Sequence, residues 1–116
     1  MKSRVYFIDI DGTLLHYPPN FKDSINTEYL EALPGASEKT IKWHCEGYQI
    51  ILVTARPECL REITEKQLKN AMIVYDRLIM GIGSGERYLI NDYATGTCGK
   101  AYAYNVERNI EGLSLL

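Results

Sequence analysis

The feature that most limits how this chain can fold is an alternation. Short runs rich in β-branched and aromatic residues begin with "VYFIDIDGTLL", Val5 to Leu15, and recur at Ile50 to Thr54, Ile73 to Met80, Tyr88 to Asn91 and Ala101 to Val106. Five strands are expected. Between the first two, Pro34 and Gly35 precede helix-tolerant residues that end at Gly47, which predicts a helix over 36–46. Between the second and third, Pro57 suits a first helical position; Leu60, Ile63, Gln67 and Leu68 share one face, and Arg61, Glu65 and Lys69 another. The segment from His16 to Leu33, with Pro18, Pro19 and Asn20, is expected to be an irregular loop with a short helical turn. Strands alternating with helices argue for an α/β domain, with a mostly parallel sheet covered on both sides and right-handed crossovers. At 116 residues the chain can bury one core and is too short for two, so residues 1–116 read as a single domain.

Ligands of such sheets bind beyond the carboxyl ends of the strands, and the polar residues collect there. Asp9 and Asp11 follow the first strand, Thr54 and Arg56 the second, Asn91 and Asp92 the fourth. Gly12 permits a sharp turn that brings both aspartates toward one pocket, and Thr13 can brace it by hydrogen bonding. Three carboxylates from separate strand ends would repel one another, so a hard cation such as Mg²⁺ is the economical explanation. Such an ion keeps positions open for phosphate oxygens and screens an attacking carboxylate, which points to phosphate chemistry with one carboxylate as nucleophile and another handling protons.

Composition excludes more than it specifies. With 13 Lys and Arg against 15 Asp and Glu, the formal net charge of -2 gives no sign of a nucleic-acid or anionic-membrane surface. Cys45, Cys59 and Cys98 are odd in number and widely spaced, which reads as free thiols in a reducing compartment and makes the cytoplasm the expected location. No apolar run has the length of a membrane span, and "MKSRVYFIDIDG" turns acidic too early for a signal peptide.

The stretches "DIDGT", "ILVTAR" and "YLINDY" resemble motifs I, II and IV of the haloacid dehalogenase-like phosphatases, in that family's order. The stretch "LPGASEKTIKWHCEGYQIILVTAR" is similar to the helix and second strand leading to motif II, so the resemblance runs from about Val5 to Val106. It implies a Rossmann-like three-layer sandwich with a mostly parallel five-stranded sheet. It also implies that Asp9 is the nucleophile that becomes an aspartyl-phosphate, and that Asp11 is the general acid and base, its backbone carbonyl also binding Mg²⁺. Thr54 matches the hydroxyl that hydrogen-bonds the transferred phosphoryl group. Asp92 matches a Mg²⁺ ligand, direct or through water, and Asn91 stands where many members carry another acid. The expected metal set is therefore Asp9, Asp11, Asn91 and Asp92. Gly12, Thr13, Ala55 and Arg56 are the candidate substrate contacts, although Arg56 reads equally well as a salt bridge at the start of the following helix.

Two departures from the family pattern matter. Asn91 reduces the negative charge of the metal site, while keeping an acceptable oxygen ligand. The motif III lysine is absent from "YDRLIMGIGSGERYLIND", where Arg77 and Arg87 are the cations. Arg87 is assigned the missing charge. A straight strand would hold it roughly 16 Å from Asp92, so either "GIGSGE" bends it back or Lys66 or Lys69 serves instead.

The intervals between the motifs leave no room for a cap domain. The expected function is a Mg²⁺-dependent phosphomonoester hydrolase acting on a small phosphorylated metabolite, a sugar phosphate or nucleotide. An open pocket also predicts self-association covering the strand-end face. Rival readings are a polynucleotide or protein phosphatase, and a catalytically weakened domain that binds phosphate ligands or a protein. A receiver-type phosphate acceptor is disfavoured, because Ile73 to Met80 offers no acceptor Asp followed by the Thr/Ser and Lys it would need.

Overall fold

The computed structural model describes residues 4–116 of the expected 1–116 domain. Strands β1 (Val5–Asp9), β2 (Gln49–Val53) and β3 (Arg77–Ile79) form one parallel sheet in the order β1-β2-β3. The register pairs Asp9 with Val53 and Val53 with Ile79, which sets the three carboxyl ends level. Helices α1 (Phe21–Ile25) and α2 (Ala36–Cys45) lie between β1 and β2; a 3₁₀ turn, Glu58–Leu60, and α3 (Arg61–Asn70) lie between β2 and β3. The helices and the short helical turn fall where the residue pattern placed them, because each is bounded by its own local signals. Gly47, at φ +84°, ends α2 and turns the chain into β2.

Strand order that advances in one direction, with right-handed crossovers, puts α2 and α3 on the same face of the sheet. That face is the core. Ile8, Ile50, Leu52 and Leu78 point into it and are buried, together with Trp43 of α2 and Leu68 of α3. The Tyr6 ring stacks on Trp43 with centroids 3.8 Å apart and planes 7° from parallel. Alternate residues face the other way: Val5, Phe7 and Ile79 are exposed, and Ile51 and Val53 half-buried.

The expectation of five strands is where the structure differs. Residues 88–91 and 101–106 form no strand, and every residue from 83 to 105 is exposed, Ile90 by 87%. Their β-branched and aromatic composition suits a pleated surface, but a strand exists only when a neighbour supplies its ladder. Among the described residues the outer edge of β1 carries no paired strand. The sheet is thus three-stranded, with helices on one side. The third strand is also shorter than Ile73 to Met80, because Ile73 N–H still bonds Leu68 O in the turn leaving α3, and the Asp76 carboxylate accepts from Ile50 N–H at 2.7 Å. No helix among the described residues is long and apolar enough to cross a membrane.

The two faces predict different sensitivities. Leu52→Ala should lower unfolding free energy by about 2–5 kcal/mol, as large-to-small changes in a closed core do, whereas Phe7→Ser should cost under about 1 kcal/mol. Urea melts of the two variants check this. Equal losses would mean that something covers the Phe7 face in solution.

Candidate active site

The loop after β1 is built around one carbonyl. Ile10 O accepts from the N–H groups of Thr13, Leu14 and Leu15 at 3.2, 2.9 and 3.1 Å, while Gly12 N–H donates to Leu15 O at 2.8 Å. Gly12 sits at φ +87°, and a Cβ there would meet Arg108 Cγ at 2.8 Å, so both backbone and space require glycine. This turn puts Asp9 and Asp11 on the wall of one cavity of about 240 Å³, with Gly12, Thr13, Val106 and Arg108.

Each aspartate has its own arginine. Arg56 is only 2% exposed, and its Nε and Nη2 donate to the two Asp11 oxygens at 3.0 and 2.7 Å, a bidentate pair. Its Nη1 donates to Thr64 Oγ1 at 2.9 Å and Gln67 Oε1 at 2.6 Å, and its backbone N–H donates to Thr54 Oγ1 at 3.1 Å. Gln67 Nε2 in turn donates to the carbonyls of Ser24 and Thr27. Of the two readings of Arg56, the geometry is that of an internal salt bridge. Burying this charge is tolerable because every group in the network is met, and no buried side-chain N or O among the described residues lacks a partner.

Asp9 stands apart from that network, half-exposed, with one oxygen accepting from Arg87 Nη1 at 3.2 Å. The chain takes the bent route through "GIGSGE", so Arg87 lies at Asp9. Burial pushes the Asp9 carboxyl above the usual aspartate range, the Arg87 guanidinium pulls it back, and the charge of Asp11 pushes it up again; the net direction is upward. Lys66 lies between Glu28 and Glu62, 3.5 Å from each, and Lys69 is exposed.

Other expected residues sit elsewhere. Thr54 is buried, with its hydroxyl engaged by Arg56 N–H, and does not line the cavity; Ala55 is exposed. Asn91 and Asp92 are exposed, outside the cavity wall, and among the described residues no group of three or more His, Cys, Asp or Glu side chains could hold a metal. Asp9 and Asp11 are the oxygen-bearing acids on the cavity wall, the type of donor a hard cation takes, and the Asp11 carboxylate is also bound to Arg56. Two contributors carried a weaker sequence signal. Gln67 is a polar residue on the apolar stripe of α3, the mark of a buried hydrogen-bonding role, and Arg108 follows "AYAYNVE" with no motif to announce it.

No family model matches the chain, and no curated protein does. Solved structures do. A chain in the structure of a Pnkp1/Rnl/Hen1 complex is 25% identical, with a TM-score of 0.60, over 74% of this chain and 30% of its own length. A Pnkp1/Rnl/Hen1 RNA repair complex gives 27% identity and a TM-score of 0.59 over 73% of this chain and 27% of the other. A class C acid phosphatase from Bacillus anthracis, with tungstate bound, is 19% identical at a TM-score of 0.60, over 74% of this chain and 44% of the enzyme. The fold is haloacid dehalogenase-like. The chain spans about three-tenths of the length of the first of these matches. Asp9 ends β1 and Thr54 follows β2, while the segment around Asp92 is exposed and forms no strand.

The Arg56 clamp gives the test of this geometry. Arg56→Met leaves Asp11, Thr64 and Gln67 without their shared donor and should lower unfolding free energy by about 3–5 kcal/mol. A loss below about 1 kcal/mol in denaturant unfolding would contradict the buried network.

Proposed function

We propose that this chain is a capless, Mg²⁺-dependent phosphomonoester hydrolase that works through an aspartyl-phosphate on Asp9 and acts on a small phosphorylated metabolite. The observation that carries the reading is the unequal treatment of the two aspartates. Asp11 is clamped from both oxygens, whereas Asp9 faces the cavity with a single cation beside it. A nucleophile must be free to move onto phosphorus; a proton-transfer group gains from a fixed orientation.

In the first step an Asp9 oxygen attacks phosphorus, the bond to the leaving oxygen breaks, and the Asp11 carboxyl gives that oxygen its proton. In the second, the Asp11 carboxylate takes a proton from water as the water oxygen attacks phosphorus, which releases phosphate and restores Asp9. The Arg56 bonds fix the orientation of the Asp11 carboxylate, the group that takes the proton from water in the second step. Arg87 lies where it can offset the negative charge that Asp9 and the phosphoryl group bring together. Mg²⁺, held by Asp9 and the Asp11 carbonyl, would supply further charge neutralisation at the phosphoryl oxygens. The openness of the cavity to solvent supports self-association over the strand-end face as part of this reading. The likeness to a chain of an RNA repair complex supports a second reading, hydrolysis at a polynucleotide end.

The experiment is phosphate release from para-nitrophenyl phosphate, followed by a screen of sugar phosphates and nucleotides against 3′-phosphorylated oligonucleotides. Release should require Mg²⁺ and stop with EDTA. Asp9→Asn should abolish turnover, Asp11→Asn should slow it by about 10²- to 10⁴-fold, and Arg87→Ala should lower kcat/KM by about 10²-fold. Lys66→Ala should stay within about twofold, since its ammonium is shared between two glutamates. Residual Asp9→Asn activity within about tenfold of the parent would remove Asp9 as nucleophile, and faster release from oligonucleotides would favour the second reading.

A further inference from the structure

Three arginines surround the strand ends, and two of them are occupied. Arg56 is spent on Asp11 and Arg87 on Asp9. Arg108 makes no ion pair or side-chain hydrogen bond among the described residues, yet it forms part of the wall of two adjoining cavities. One is the cavity of Asp9 and Asp11. The other, about 390 Å³, is lined by His16, Tyr17, Pro18, Pro19, Arg108 and Asn109.

The position of the guanidinium decides which cavity its charge serves. Arg108 Cζ lies 4.9 Å from the centroid of the Tyr17 ring, and Tyr17 belongs to the larger cavity alone. The stem is fixed where its Cγ passes over Gly12. The neighbouring Asn109 is held as well. The Asn109 side chain accepts from Tyr17 N–H at 2.7 Å and donates to Tyr17 O at 2.8 Å, and Asn109 N–H donates to Gly12 O at 2.9 Å. Asn109 adopts φ +62° to make these bonds. Two proline rings offer an apolar surface for a carbon skeleton, beside a cation that sits over the Tyr17 ring and has no ion-pair partner among the described residues.

We infer that the larger cavity is a substrate subsite, in which Arg108 recognises a second anionic group on a small phosphomonoester whose phosphate lies at Asp9. The specificity residue is Arg108, and the substrate class is a phosphorylated compound with a carboxylate or second phosphate at its far end. This rests on the hydrolase reading for the position of the reacting phosphate. A guanidinium fork suits either anion, so the two sources need separate arms.

The test uses the full chain carrying Asp9→Asn, which holds substrate without turning it over, and calorimetric titration. One arm compares 6-phosphogluconate with glucose 6-phosphate; the other compares fructose 1,6-bisphosphate with fructose 6-phosphate. At least one doubly anionic ligand should bind about tenfold or more tightly than its singly anionic counterpart, the gain expected of a hydrogen bond to a charged group. Adding Arg108→Met, which keeps the stem over Gly12, should bring that ratio to within about twofold. Arg108→Lys, which keeps the charge but loses the fork, should fall between. Equal binding within both pairs, no binding of any ligand, or a preference that survives Arg108→Met in a folded protein overturns the subsite. Phosphate release by the unaltered chain is measured separately. If none is released while the Arg108-dependent preference is present, the hydrolase reading fails and the subsite stands.

Discussion

The guanidinium of Arg56 holds the strand-end region together. A buried cation costs several kcal/mol unless its hydrogens are met, and here one group is met by the loop after β1 through Asp11 and by α3 through Thr64 and Gln67. Gln67 then carries the link to the carbonyls around α1. Three separate stretches of chain therefore reach their places only if this one side chain does. The clamp is also why the two aspartates of "DIDGT", so alike in sequence, differ chemically. One is clamped through both oxygens and the other stands at the cavity with a single contact to Arg87.

Much of this was legible because local signals set it. The helix bounded by Gly35 and Gly47, the helix after Pro57, and the turn at Gly12 each follow from residues within a few positions of the feature. The strands at 88–91 and 101–106 were not, because their residues show only that they would suit a sheet. Whether they join one depends on a partner distant in sequence, and the edge of β1 has none among the described residues.

The site divides along the same line. That Asp9 and Asp11 share a cavity follows from a two-residue spacing and a glycine, so the sequence could show it. That Arg87 reaches Asp9 depends on how "GIGSGE" bends, whereas rise per residue along a straight strand spoke only to its distance from Asp92. The choice between substrate contact and salt bridge for Arg56 turned on the rotamer of a long side chain and on Thr64 and Gln67, 8 and 11 residues further along. Arg108 lies about a hundred residues from Gly12, and only the docking of Asn109 onto Gly12 and Tyr17 brings it to the cavity.

The central claim is that Asp9, and not Asp11, takes the phosphoryl group. An acyl phosphate is reduced by borohydride, so quenching the chain during turnover with tritiated borohydride marks the carboxylate that carried phosphate. The account predicts tritium in the peptide spanning Val5 to Leu15, at position 9, with more label when Asp11→Asn slows hydrolysis of the intermediate. Label at position 11, or turnover with no label in that peptide, would contradict it.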